Sequence, residues 1–206
     1  MSGPREIATV AGPARVTVRG RPARTTVVLG HGAGGGIEAA DLQAVSGGLV
    51  AAGFRVVLVE QPWRVAGRKV AAAPAALDAA WLEVIDSLPA RRLVVGGRSA
   101  GARVACRTAK ATGAIGVLAL AFPLHPPGRN EVTRAGELVA VGVPLLVVQG
   151  DRDPFGTPTE VRTAARRATV VPVPAADHAL ARRGTAAPGL TAAFARIVEF
   201  LANLPG

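Results

Sequence analysis

The chain has one cysteine, no tyrosine and only two lysines among its 206 residues, and it lacks a long apolar run. Cys106 alone cannot form an intramolecular disulfide or build a zinc site, which fits a reducing compartment. The strongest apolar run, AIGVLALAF, is far shorter than the roughly 18 residues of a membrane span. The N-terminal stretch also lacks the pattern of a secretory signal. These absences predict a cytoplasmic protein with no membrane partner.

The chain has a large excess of positive charge, but the charged residues are scattered along it. A net charge of +10 comes almost entirely from arginines, which occur singly or in pairs such as Arg91-Arg92. No block of them forms a basic arm, and an aromatic fraction of 3% leaves few side chains on which bases could stack. We therefore expect dispersed, solvated charge and no specific nucleic-acid partner, while the oligomeric state stays open.

Short apolar runs rich in β-branched residues alternate with helix-like segments along the chain. The predicted strands are 25–30, 54–60, 91–96, 115–121, 143–149 and 169–173. The predicted helices are 40–52, 74–87, 100–112, 133–140, 158–168 and 190–204. This alternation predicts an α/β fold with a mostly parallel sheet and helices on both faces. We expect a single domain over 1–206, in which residues 1–24 add antiparallel edge strands, with a hairpin near 7–18.

A lone serine separates a predicted strand from a predicted helix in the stretch Gly97-Arg98-Ser99-Ala100-Gly101. This stretch fits G-x-S-x-G, the nucleophile elbow, in which a sharp turn holds the serine above the carboxyl edge of the sheet. An ordinary glycine turn is the alternative. The setting between strand and helix favours Ser99 as a catalytic nucleophile.

A nucleophilic serine needs a base, and His178 is the histidine that follows the last predicted strand, as the chain order of hydrolase triads requires. His125 precedes every plausible acid loop. Two carboxylates, Asp151 and Asp153, follow the strand 143–149, and either could orient the imidazole. We favour Asp153, because it comes after the initial turn and precedes a proline, and we regard Asp177 as the weaker candidate.

The loop LGHGAGGG, which follows the first strand of the predicted parallel sheet, offers backbone N–H groups to a developing oxyanion. We expect donors at Ala100 and Ala33, with Gly34 as the alternative, and a loop-shaping role for His31. A phosphate-binding loop is disfavoured, because the stretch lacks the P-loop and dinucleotide spacings. We accordingly expect no cofactor and no metal.

The interval between Ser99 and Asp153 leaves no room for a helical lid. The Pro-rich segment 123–134 is the one irregular insertion expected above the site. Either His125 within it lines a substrate pocket, or the segment is a loop that makes no contact with the substrate. Gly34 and Trp63 are further pocket candidates, although Trp63 is also a natural packing anchor. Arg98 could either anchor a substrate carboxylate or brace a neighbouring loop, and we favour bracing.

Five motifs together resemble a known family: HGAGGG, GGRSAGARVA, AFPLHPPGR, LLVVQGDRDPFG and ADHAL. Over about residues 25–204 they are similar to small lidless α/β-hydrolases of a dienelactone-hydrolase-related subgroup. That subgroup includes the hydrolase-like domains of testis-expressed proteins and of a nonspecific-lethal chromatin complex. The resemblance implies an α/β-hydrolase fold with Ser99, Asp153 and His178 at the triad positions.

Two functions are compatible with this pattern. The first is a serine hydrolase (carboxylesterase or thioesterase-like) that cleaves a small ester, thioester or related acyl compound through an acyl-enzyme on Ser99. The alternative is a catalytically inactive α/β-hydrolase-fold module that binds a partner, because some relatives serve as interaction domains. The complete set of nucleophile, base, acid and oxyanion loop favours the enzyme.

Overall fold

A computed structural model describes residues 3–182 and 185–205, and an eight-stranded sheet forms its centre. The sheet strands are β1 (Arg5–Ile7), β2 (Ala14–Arg19), β3 (Thr25–Gly30), β4 (Arg55–Glu60), β5 (Arg92–Arg98), β6 (Gly116–Leu120), β7 (Leu145–Gly150) and β8 (Thr169–Val173). Their spatial order is β1-β2-β4-β3-β5-β6-β7-β8. The strands from β3 to β8 are mutually parallel, whereas β2 runs antiparallel to both β1 and β4. A separate two-stranded ribbon pairs β9 (Ala181–Arg182) with β10 (Thr185–Ala186).

Seven helices are described around the sheet. They are α1 (Ala40–Ala51), α2 (Pro62–Val65), α3 (Pro74–Asp86), α4 (Ala100–Thr108), α5 (Ala135–Val139), α6 (Pro158–Ala164) and α7 (Pro188–Ala202). Among residues 3–182 and 185–205, no helix has the length and apolarity needed to span a membrane.

Alternate residues of the central strands pack into two separate apolar layers. Val28 belongs to the layer that is covered by α3 and α4, where Trp81 is fully buried. Its neighbour Leu29 belongs to the opposite layer, which contains Leu49 of α1 and Ile197 of α7. Because both faces of the strands are covered, the strands are apolar along almost their whole length. The predicted α/β-hydrolase architecture, with a mostly parallel sheet between two helical layers, is confirmed.

The first residues form the antiparallel edge expected of them, with Arg5 opposite Val16 and Ile7 opposite Ala14. Two features were not predicted. The short helix α2 begins at Pro62, where proline suits a first helical turn because it needs no N–H partner. The β9–β10 ribbon has only two residues per strand, too few for any periodic signal.

Candidate active site

Ser99 lies at a sharp turn between the end of β5 and the start of α4. Its φ of 52° is unfavourable for a residue with a side chain, so the surrounding structure must impose it. The approach of β3 explains the flanking glycines: a Cβ built on Gly101 would lie 2.5 Å from the carbonyl atoms of Gly30, and a Cβ on Gly97 would collide with the same oxygen. The elbow therefore exists only because two glycines let β3 come this close.

A continuous hydrogen-bonded chain joins Ser99, His178 and Asp153. His178 Nε2 lies 2.9 Å from Ser99 Oγ, and His178 Nδ1 lies 2.8 Å from Asp153 Oδ2. Since a carboxylate only accepts, Nδ1–H donates to Asp153 and leaves Nε2 free to accept from the serine hydroxyl. The arrangement can move a proton from Ser99 to His178 while Asp153 stabilises the charge that forms on the ring.

Asp153 is held rigidly in this arrangement. It is 3% exposed, and its Oδ1 accepts a hydrogen bond from the backbone N–H of Phe155 at 2.9 Å. Its Oδ2 accepts a second bond from Gln149 Nε2 at 2.9 Å. The other two candidate acids lie elsewhere: Asp151 is exposed on the turn after β7, and Asp177 accepts from the N–H of Ala179, two residues along the chain.

The ring of His178 is also fixed by an aromatic contact. The Phe155 ring meets it edge-on, with centroids 4.5 Å apart and an interplanar angle of 88°. Such a T-shaped contact limits rotation of the imidazole about its own axis. Phe155 follows Asp153 by two residues, so one turn of chain positions both the acid and the base.

The proposed oxyanion donors, Ala100 and Ala33, come from two different elements. Ala100 is the first residue of α4, where backbone N–H groups have no partner within the helix. Ala33 is exposed in the loop after β3. The preceding residue, Gly32, lies against the nucleophile, because a Cβ built on it would be 3.4 Å from Ser99 Cβ. The loop predicted to stabilise an oxyanion thus borders Ser99.

His31 shapes this loop from within the protein. Its Nδ1–H donates to the Gly32 carbonyl at 2.9 Å, and its Nε2 accepts from the Gln61 N–H at 3.1 Å. Burial lowers the pKa of His31 below its ordinary value of 6.5, because the charged ring would lose its water. Trp63 packs against the ring, with centroids 5.4 Å apart.

Arg98, the last residue of β5, braces the loops around the site. Its Nη2 donates to the His178 carbonyl at 3.4 Å, and Nη1 lies so close to Gly32 that a Cβ there would be 2.8 Å away. Arg98 Nε lies 2.9 Å from Asp41 Oδ2, but the N–H is not directed at that oxygen, so the contact is an ion pair and not a hydrogen bond. Burial raises the pKa of Asp41, while the Arg98 charge opposes that rise. Arg98 therefore connects the loop that carries His178, the loop that carries Gly32, and helix α1.

A cavity of about 150 Å³ opens beside the nucleophile. Its lining residues are Ser99, Ala100, Arg103, Pro123, Pro127, Arg134, Phe155 and His178. Segment 123–134 thus contributes Pro123, Pro127 and Arg134 to the wall. A larger groove of about 780 Å³ lies between α5 and α6, away from these groups, so its size does not identify it as the site of chemistry.

The three residues proposed as pocket candidates are not among those that line this cavity. His125 instead contacts the Val132 carbonyl through Nδ1 at 2.9 Å and faces Glu160 at 3.7 Å through Nε2. Trp63 is 5% exposed and belongs to the core, because α2 turns it inward. Gly34 is exposed in its loop, with no atom within 4 Å of a built Cβ. Besides Pro123 and Pro127, the wall includes Arg103, Arg134 and Phe155, which were not named as pocket candidates from the sequence.

The fold is similar to that of several solved structures. XC6422 from Xanthomonas campestris, described as an a/b serine hydrolase without lid, is 20% identical with a TM-score of 0.74, over 99% of this chain and 95% of that one. Est1E from Butyrivibrio proteoclasticus is 14% identical with a TM-score of 0.78, over 98% of both chains. The thioesterase domain from the curacin biosynthetic pathway is 16% identical with a TM-score of 0.72, over 98% and 99% of the two chains.

No curated protein sequence matches the chain significantly. A family model described as an alpha/beta hydrolase domain matches residues 23–204, which is nearly the whole chain. The chain therefore belongs to the alpha/beta hydrolase domain family.

Proposed function

We propose that the protein is a serine hydrolase that cleaves a small carboxylic ester, thioester or related acyl compound through an acyl-enzyme on Ser99. The observation that carries this proposal is the chain of hydrogen bonds from Ser99 Oγ to His178 at 2.9 Å and from His178 to Asp153 at 2.8 Å. A serine with φ of 52° at the mouth of a cavity has no evident structural use. Strain of this kind is typical of functional sites.

Acylation begins when Ser99 Oγ attacks the carbonyl carbon and its proton moves to His178 Nε2. The carbonyl oxygen becomes an oxyanion, which accepts hydrogen bonds from the N–H groups of Ala100 and Ala33. Asp153 stabilises the imidazolium that has formed. As the tetrahedral intermediate collapses, the bond to the leaving group breaks, and His178 Nε2–H protonates the departing oxygen or sulfur.

Deacylation repeats these steps with water as the nucleophile. His178 takes a proton from the water, whose oxygen attacks the acyl carbon, and the same two N–H groups stabilise the second oxyanion. Collapse breaks the bond to Ser99 Oγ and returns the proton to the serine. The products are a carboxylic acid and the regenerated enzyme, so no cofactor is needed.

The comparisons support this class of reaction without fixing the leaving group. Their solved members include one described as a serine hydrolase and one described as a thioesterase domain. The resemblance of PLHPPGR and GDRDPFG to the dienelactone-hydrolase-related subgroup points to the same chemistry. A cavity of about 150 Å³ is smaller than the roughly 300–1,000 Å³ typical of ligand pockets, which favours a short acyl group.

Labelling with a fluorophosphonate probe tests the proposal directly, because the probe reacts with activated serines whatever the natural substrate is. Wild-type protein should be labelled on Ser99, and Ser99→Ala should not be labelled. Ser87→Ala is a matched control, since Ser87 caps the end of α3 and is not among the residues that line the cavity. A folded wild-type protein that stays unlabelled would favour the inactive binding module instead.

A further inference from the structure

The cavity beside Ser99 has a positively charged wall. Two of its lining residues are arginines, Arg103 from α4 and Arg134 from the segment before α5. Their charges are not equally compensated. The difference between them indicates what kind of acyl group the cavity accepts.

The charge of Arg103 is paired with that of a carboxylate. Its Nε and Nη2 donate side by side to the two oxygens of Glu137, at 2.9 and 2.5 Å. Glu137 also contacts Arg107 at 3.3 Å, and Arg107 in turn binds Asp78 with bonds of 2.8 and 2.6 Å. Together with Arg134, the group has three guanidinium ions and two carboxylates, so one positive charge is left over.

That excess charge lies at Arg134. Its Nη1 donates to the carbonyl oxygens of Pro123 at 3.1 Å and His125 at 3.3 Å, which hold the guanidinium in place. Within residues 3–182 and 185–205, no carboxylate forms an ion pair with it, and its Nε and Nη2 make no hydrogen bond. Burial lowers the pKa of Arg134, and the neighbouring Arg103 charge acts in the same direction.

The free edge of Arg134 has the geometry that carboxylates prefer. Nε–H and Nη2–H of an arginine point the same way and match the two oxygens of a carboxylate. Arg103 uses this same edge to bind Glu137. Since the edge of Arg134 is unoccupied by protein groups and Arg134 lines the cavity, a ligand carboxylate would complete the pairing.

We propose that the substrate is a monoester or monothioester of a short dicarboxylic acid, whose free carboxylate binds Arg134 while its esterified carbonyl faces Ser99. The small cavity limits the acyl chain to a few carbons and favours a carboxylate over a bulkier phosphate. This inference rests on the proposed hydrolase function and specifies its substrate class.

The test uses 4-nitrophenyl monoesters of succinate, glutarate and adipate. Each is paired with a neutral ester of the same shape, in which an isopropyl group replaces the carboxylate. Release of 4-nitrophenol gives kcat/KM for both members of a pair, after subtraction of the rate measured with Ser99→Ala. Wild-type protein should prefer the charged member of at least one pair by about 10- to 100-fold, as expected for a charged hydrogen-bonded contact.

Substitutions at Arg134 identify the group responsible. Arg134→Gln should reduce the preference about 10- to 100-fold. Arg134→Lys should retain part of it, because lysine keeps the charge but loses the paired donors. The control is Arg129→Gln, which removes a charge from an exposed position in the same segment and should leave the preference unchanged. If Arg134→Gln does not fold, two measurements replace it. One is the preference of Arg134→Lys, and the other is whether free glutarate protects Ser99 of the wild type from the fluorophosphonate probe.

The possible failures are distinguishable. If Ser99 is labelled and the neutral esters are cleaved at least as well as the charged ones at all three lengths, the substrate class is wrong while the hydrolase stands. The same conclusion follows if Arg129→Gln reduces the preference as much as Arg134→Gln. The overall positive charge of the segment, and not a specific contact with Arg134, would then explain the preference for charged esters. If no ester is cleaved and Ser99 stays unlabelled, the proposed function fails, and this inference fails with it.

Discussion

Gln149 Nε2 donates to Asp153 Oδ2 at 2.9 Å, the same carboxylate oxygen that binds His178 Nδ1. Gln149 is fully buried, and its amide group also bonds the backbone of Phe122 and Gly156. One side chain at the end of β7 therefore ties the acid to the neighbouring strand end and to the loop that follows it. The orientation of Asp153 depends on an amide and not only on its own backbone.

Replacing that amide by a carboxylate should damage both stability and activity. In Gln149→Glu, a second acceptor would face Asp153 Oδ2 and the Gly156 carbonyl, where the amide now donates. We expect the free energy of unfolding to fall by about 3 kcal/mol, which lowers Tm by roughly 6–12 °C in a chain of this size. Hydrolysis of 4-nitrophenyl acetate by the folded fraction should also fall.

Gln149→Met provides the comparison for this change, because it removes the hydrogen bonds without adding charge. Its Tm should lie between those of the wild type and Gln149→Glu. A Gln149→Glu variant that melts and turns over like the wild type would show that Gln149 does not position Asp153.

The close approach of β3 to α4 makes a second prediction about the elbow. Gly101→Ala places a Cβ 2.5 Å from the Gly30 carbonyl, so the strand and the helix must move apart. Overpacking of this kind costs about 1–3 kcal/mol, and here it also displaces Ser99. We expect a lower denaturation midpoint together with a loss of fluorophosphonate labelling in the protein that remains folded.

Gly47→Ala is the matched control for this substitution. Gly47 is exposed in the interior of α1, and a Cβ there meets no atom within 4 Å. Alanine should stabilise the helix by about 0.5–1 kcal/mol and leave labelling unchanged. Equal effects of both variants on the denaturation midpoint would contradict the steric explanation.

Much of the sheet could be predicted from the sequence because its central strands are buried on both faces. The predicted strand 25–30 has the same bounds as β3, which is buried throughout. The predicted strand 169–173 has the same bounds as β8, an edge strand in which Thr169 and Pro172 are exposed. Buried parallel strands are continuous apolar runs, which makes them easy to recognise in the sequence. The helix ends were less accurate: the helix predicted over 100–112 ends at Thr108, since its last residues continue as turns.

Chain order and loop position were enough to single out Ser99, Asp153 and His178, the three side chains that the structure places in hydrogen-bond contact. The contacts that surround them could not be predicted in this way. In the sequence Gln149 is only the polar end of a strand, and its partner Phe122 lies 27 residues earlier in the chain. Arg134 likewise acquires its place on the cavity wall only when the segment before α5 folds over the elbow.

The buried ring of His31 predicts a dependence of stability on pH. Because the folded-state pKa is lowered below 6.5, the unfolded chain binds the proton more readily as the pH falls through that value. The stabilisation associated with neutral His31 is therefore present above about pH 6.5 and is lost below it. Protonation would also break the bond from the Gln61 N–H to Nε2, since a protonated ring nitrogen cannot accept.

His31→Gln tests this dependence, because glutamine does not titrate and still offers an acceptor. The Tm of the wild type should fall more steeply between pH 7.5 and 5.5 than that of the variant. The other two histidines are shared by both proteins, so their contributions cancel in the comparison. If the Tm of the two proteins changes with pH in the same way, His31 is not the source of the pH dependence.

The last prediction separates the two acids that follow β7. Asp153→Asn should lower kcat for 4-nitrophenyl acetate by about 10³- to 10⁴-fold, because the amide neither stabilises the imidazolium nor enforces the tautomer with Nδ1–H. Asp151→Asn should cost tenfold or less, since Asp151 is exposed and its side chain makes no hydrogen bond within residues 3–182 and 185–205.

The two substitutions are matched in chemistry and lie two residues apart, so a difference between them reports on position alone. Thermal melts of each variant must stay within a few degrees of the wild type, because Asp153 is 3% exposed and its loss could also unfold the loop. A severe effect at Asp151 with a mild one at Asp153 would transfer the role of the acid and leave Ser99 as the nucleophile. Mild effects at both positions would mean that the bond between His178 and Asp153 at 2.8 Å does not contribute to turnover. Asp153 would then have no role in the proposed mechanism.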